Sequence, residues 1–184
     1  MKPEFTKENF EKARIHFNEG NKKLGRSQRL LLSKDFAGSI EASQHSVEFY
    51  IKTLFVMAGL EIPKKHDPGK ELDIIFDELR NLKPKLFPNS PINHLARIKY
   101  ISSFFSRLHT ETMYGYNGCP PSQIFNEFDA RYFYDLACEI MFGILVIAFQ
   151  FGYHFKHLPE EGRKFLENNV SDLFGKKIPN ISFN

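Results

Sequence analysis

DFAGSIEASQHSVEFYIKTLFVMAG, Asp35–Gly59, is the stretch whose reading decides the fold. Phe36, Ile40, Ser43, Val47, Tyr50, Leu54 and Ala58 recur at steps of three and four, the period of one helix face. Ala42, Phe49 and Phe55 add a second apolar strip. A helix apolar on more than one side belongs in the middle of a bundle. Asp35 is placed to cap it, and Gly59 with Pro63 beyond to end it, so the spacing predicts a central helix over 36–59. Ser39, Ser43, Gln44, His45 and Glu48 are unusually polar for such a helix. His45 reads as a half-exposed histidine.

The same period continues on either side. Upstream, Thr6 can cap a helix over 7–32 whose stripe is Phe10, Ala13, Phe17, Leu24 and Leu31. Gly20 and Gly25 weaken its middle and mark a close crossing or a kink. Lys22, Arg26 and Arg29 share a face within a run that contains no acid; it reads as a solvated face or as a phosphate-contacting stripe. Downstream, Asp67 caps a helix over 70–82 that buries Leu72, Ile75, Phe76 and Leu79, with His66 locking the preceding turn. Leu86 and Phe87, between prolines, pin the next loop to the core. A helix follows from about Pro91 to Tyr114, with Ile92, Leu95, Ile98, Ile101, Phe105, Leu108 and Thr112 buried. The next, 126–151, has Phe128, Tyr132, Leu136, Ile140, Ile144, Ile147 and Phe151 as its buried strip, broadened by Phe133, Ala137, Met141 and Leu145. A short amphipathic helix from Pro159 to Phe174 completes the pattern. Strand alternation and hairpin signals are nearly absent. The expectation is an all-α fold: an up-down helical bundle of four to five long helices plus a short C-terminal helix. The bundle takes residues 1–151, and the extension 152–184 packs on the same domain.

Composition agrees. The 184 residues suit one domain, and 20 Phe with no Trp make a core of rings best packed between helices. A net charge of +3 does not by itself indicate a nucleic-acid binder. Cys119 and Cys138 lack metal or redox spacing and read as free thiols, which with the absence of a visible signal peptide suggests a cytoplasmic protein. The most apolar run, Ile140–Phe151, is too short to span a membrane.

The densest group of functional side chains is SRLHTETMYGYNG, Ser106–Gly118. Arg107, Glu111 and Tyr114 stand at i, i+4 and i+7 and share one helix face; His109 points elsewhere, and Tyr116 lies in the loop beyond. Arg107 and Glu111 at this spacing most simply form an ion pair. No phosphate-cradling glycine loop, HExxH or nucleophile elbow is present. His154 and His157 have no further metal ligand in view, so neither a metal nor a cofactor is assigned.

The order of several strings resembles a known family. A first helix ends near Leu32, Lys34-Asp35-Phe36 forms a turn, the helix reads Ala42-Ser43-Gln44-His45-Ser46-Val47-Glu48-Phe49-Tyr50-Ile51-Lys52-Thr53-Leu54, and His66-Asp67 precedes the next helix. Over roughly residues 7–151 the chain is similar to the HEPN domain, an all-α bundle found with prokaryotic nucleotidyltransferases and in many toxins. In ribonuclease members, as the resemblance implies, an Arg, four to six residues, then His-x-Tyr form a site shared by two protomers. Arg107 matches the arginine and Tyr116 the tyrosine, while Tyr114 stands in the histidine's place. A phenol, with a pKa near 10, does not replace a neutral-pH proton shuttle. His109 lies only two residues beyond Arg107, off its face.

The reading is a homodimeric nucleotide- or RNA-binding, regulatory module without ribonuclease activity. It binds through Arg107, Glu111, Tyr114, Tyr116 and His109, with Lys22, Arg26 and Arg29 as phosphate contacts, and acts with a separately encoded nucleotidyltransferase. The alternative is a divergent, metal-independent endoribonuclease of the toxin type, using Arg107 with Tyr114, His109 or Glu111.

Overall fold

The computed structural model describes residues 3–63, 72–77 and 90–150, with the side chains of 90–92, 107–113 and 149–150 outside that description. The expected loop turn at His66 and Asp67, Leu86 and Phe87, the pair His154 and His157, and the helix 159–174 all lie outside the described residues. The protein is an all-α bundle. Its helices are α1 (Lys7–Leu32), α2 (Phe36–Met57), α3 (Ser90–Tyr114), the single turn α4 (Pro121–Ile124) and α5 (Glu127–Gln150). Residues 72–77, within the expected helix 70–82, are helical, and Leu72 and Ile75 are buried there.

The caps follow the local chemistry. Thr6 Oγ1 accepts from the Asn9 N–H at 3.2 Å, and Asp35 Oδ1 accepts from the Gly38 N–H at 3.0 Å, so each helix start has a side-chain acceptor for an orphan donor. Helix α2 stops two residues earlier than the spacing suggests, at Met57, with Gly59 in the left-handed region at φ +68° just beyond. Asn126 starts α5: its Oδ1 accepts from the N–H groups of Phe128 and Asp129, and Asp129 Oδ2 accepts from the Asn126 N–H at 3.0 Å.

Helix α2 is the hub and touches α1, α3, α4 and α5. Its pairing with α1 is antiparallel and very close. Gly20 faces the fully buried Tyr50 ring, where a Cβ would stand 2.6 Å from Cε1. Gly25 has no such neighbour, only Arg29 Nη1 at 3.5 Å, so the crossing is at Gly20 alone. Tyr50 Oη donates to Asn21 Oδ1 at 2.8 Å, and burial pushes the phenol's pKa well up. Further along the seam Ser27 Oγ lies 3.0 Å from Ser39 Oγ and 2.8 Å from Ser43 Oγ, all three buried. Sequence periodicity placed Ser39 and Ser43 in α2; it did not show that Ser27 completes a hydroxyl cluster on the facing helix.

Helices α3 and α5 form the second antiparallel pair. Gly143 lets α5 approach Ile98, and the His94 ring meets Phe142 edge-on at 5.1 Å. Arg97 Nη2 donates to both oxygens of Glu139, at 3.1 and 3.0 Å, and Lys99 Nζ ties Asp73 of residues 72–77 to α3 at 2.6 Å. One expectation fails here. Phe128 and Tyr132, assigned to the buried strip of the last long helix, are 77% and 49% exposed. The buried face begins at Ala130 and Phe133 and continues through Ala137 and Met141, and the expected strip joins it from Ile140 through Ile144 and Ile147, all buried. Both strips are apolar in sequence, and only packing against α2 and α3 decides that the first turns bury Ala130 and Phe133 rather than Phe128 and Tyr132.

Candidate functional site

The site is built by the end of α3, the turn after it and the start of α5. Along α3, Leu95, Ile98, Ile101 and Phe105 are buried, whereas Tyr100 is 78% and Tyr114 79% exposed. At about 100° per residue, positions 100, 104, 107, 111 and 114 fall within a stripe about 80° wide. Arg107 and Glu111 therefore occupy register positions between exposed Phe104 and exposed Tyr114. Position 109 lies on the opposite side of the helix, in line with buried Ser102 and Phe105. Arg107 and Tyr114 are two turns apart, about 10 Å along the axis.

The helix ends because Gly115 takes φ +78°, a conformation in which a side chain would run into the Cys119 carbonyl oxygen. Tyr116 and Cys119 then exchange two backbone hydrogen bonds, N–H to O at 3.1 Å and 3.0 Å, across Asn117 and Gly118 at φ +50° and +80°. Positive φ at both central residues is the signature of the type I′ turn. Tyr116, 59% exposed, thus sits on a closed turn rather than on a loose loop. Pro120 and Pro121 lead into α4, a turn that sequence spacing did not distinguish from loop. Cys119 is an exposed free thiol and Cys138 a buried one.

Beside this stripe lies an aromatic surface that crosses from α3 to α5. Phe104 stacks on Phe133 at 5.5 Å with 5° between planes, and Tyr132 meets the same ring edge-on at 6.1 Å. Phe128 and Tyr100 extend it into solvent. The Arg97–Glu139 pair borders it, and partial burial raises the pKa of Asp135 on the same helix, opposed by Arg131. These exposed aromatics were the part of the site that sequence reading missed. The available signal was that Tyr100 and Phe104 precede Arg107 by seven and three residues, continuing its stripe.

Lys22, Arg26 and Arg29 are exposed on α1, with Lys22 Nζ 2.5 Å from Glu19 Oε1. Among the described residues α1 packs on α2 and α5 and makes no contact with α3. Within one chain, the basic stripe and the α3 stripe are therefore separate surfaces. Among the described residues no group of three His, Cys, Asp or Glu is arranged to hold a metal ion, and no helix is long and apolar enough to cross a membrane.

The architecture is that of an all-α bundle with a polar and aromatic site at the end of a long helix. The family model described as the HEPN domain matches residues 13–140, most of the chain, and spans α1 through the greater part of α5. The chain belongs to the HEPN domain family, a class of nucleotide- or RNA-related modules. The search of curated proteins and that of solved structures returned no match.

Proposed function

We propose that this HEPN domain acts as a homodimer that binds a nucleotide or RNA through the α3 stripe, without cleaving it, and serves as the regulatory partner of a separately encoded nucleotidyltransferase. The observation that carries the reading is Tyr114, exposed on the last turn of α3 in the place where ribonuclease relatives, by the motif, carry histidine. A guanidinium two turns from a phenol suits phosphate contact at one end and base stacking at the other. It lacks a group that moves a proton from a ribose 2′-hydroxyl near neutral pH. Tyr116 on its closed turn adds a second exposed ring.

HEPN domains commonly dimerise, and the aromatic surface of Tyr100, Phe104, Phe128 and Tyr132 is the face that a second copy would cover. Arg107 lies in the same stripe, so dimerisation would bring two copies of the site together.

The test is fluorescence anisotropy with a labelled single-stranded RNA of about ten nucleotides and with ATP, followed by gel analysis of the RNA. Binding should weaken at least about tenfold in Arg107→Ala, as expected for loss of a charge-assisted contact worth about 1.5–3 kcal/mol. The RNA should remain intact. Cleavage that disappears in Arg107→Ala would replace this reading with the divergent endoribonuclease. No binding of either probe would remove the ligand and leave only the protein-partner role.

A further inference from the structure

Gln44 is out of place for a side chain that only fills space. It projects from the central helix α2 into the core, is 7% exposed, and its Nε2 donates to the Phe105 carbonyl oxygen of α3 at 3.1 Å. A buried primary amide carries a desolvation cost that leucine or methionine at the same place would avoid. Apolar packing lets a helix slide or rotate at little cost, whereas an amide bonded to one particular carbonyl selects one height and one rotation. The carbonyl it selects is telling. Phe105 is also held through its ring, edge-on to Phe133 of α5 at 5.2 Å. Both attachments fall two residues before Arg107 in the sequence. Beyond Phe105 come the positions of the proposed site, Arg107, Glu111 and Tyr114.

We propose that Gln44 is a positioning residue for the site: by binding the Phe105 carbonyl it sets the height and rotation of the α3 segment that carries Arg107, Glu111 and Tyr114. The functional half of this inference rests on the reading of that segment as a ligand site; the positional half does not.

The test uses the full chain with Gln44→Met, which keeps the volume and removes the donor, and Gln44→Leu as a second variant. Amide hydrogen exchange is followed in residues 107–114 and, as an internal reference, in 93–101 of the same helix. Exchange should rise roughly five- to tenfold in 107–114, the factor that loss of about one hydrogen bond implies, and stay unchanged in 93–101. A uniform rise along the helix, or none, overturns the proposal. RNA affinity is then measured in wild type, Gln44→Met, Arg107→Lys and the double variant. Non-additive losses indicate that Gln44 acts through Arg107; additive losses, or wild-type affinity in Gln44→Met, overturn the functional half. If wild type itself binds no RNA, the ligand reading fails, and the exchange experiment still decides the positioning role.

Discussion

Gly115 shows how much of the site depends on one missing Cβ. Its φ of +78° costs any other residue about 1–2 kcal/mol, and a side chain there would also strike the Cys119 carbonyl. Gly118 has nearly the same φ, +80°, but open space around it. Gly118→Ala should therefore lose only the conformational term, about 1–2 kcal/mol, and Gly115→Ala clearly more, with Tyr116 displaced. Urea unfolding of the two variants decides the matter; equal midpoints would mean that the turn yields freely. The glycines at 115 and 118 were legible as helix breakers. Which of them is sterically obligatory was not, because the clash is with a residue four positions on, brought back only by the hairpin turn. The shared register of Arg107 and Tyr114 was legible from the helix period, and Tyr116 was legible as lying in the break beyond it. Tyr100 and Phe128 were not, since an aromatic residue has the same pattern value in a core as on an exposed face.

At the scale of elements, two glycines of α1 differ in what a side chain would meet. On α1, Gly20→Ala places a methyl against the rigid, fully buried Tyr50 ring and should cost about 1–3 kcal/mol by overpacking. Gly25→Ala meets only the end of a flexible arginine and should stabilise α1 by up to about 1 kcal/mol through helix propensity. Thermal denaturation of the two variants should shift in opposite directions, and a shared direction would refute the assignment of the crossing. Between α3 and α5, burial against Phe142, helped by Arg97, lowers His94 from its ordinary 6.5 to about 4. From pH 6.5 down to 4 the unfolded chain therefore takes up a proton that the folded chain refuses, and stability falls as pH falls through that window. His16 is shifted in the same direction, and Asp135, raised, contributes the opposite sign. His94→Gln should flatten the loss of stability between pH 7 and 5; a slope identical to wild type would show that the imidazole is not desolvated at this seam.

For the whole molecule, the exposed aromatic face of α3 and α5 is the surface on which the proposed dimer is tested. Light scattering at micromolar concentration should give twice the 21.5 kDa mass of the chain. Tyr100→Glu, at a residue 78% exposed in the protomer, should give the single mass without loss of helix content. A wild-type monomer would remove the shared site and leave Arg107 to act within one chain. The all-α class, the helix starts at Thr6 and Asp35, the central position of α2 and the break after Tyr114 were determined by the sequence alone. Each is a local consequence of 3.6-residue periodicity, of capping side chains, or of glycine and proline, and needs no distant partner. Only the tertiary structure decided that Ser27 completes a cluster with Ser39 and Ser43, that Gln44 reaches the Phe105 carbonyl, and that Phe128 and Tyr132 face outward. Those outcomes depend on which residues far apart in the chain are brought within hydrogen-bond or van der Waals range. A period says that a strip is apolar; what lies opposite decides whether it is buried.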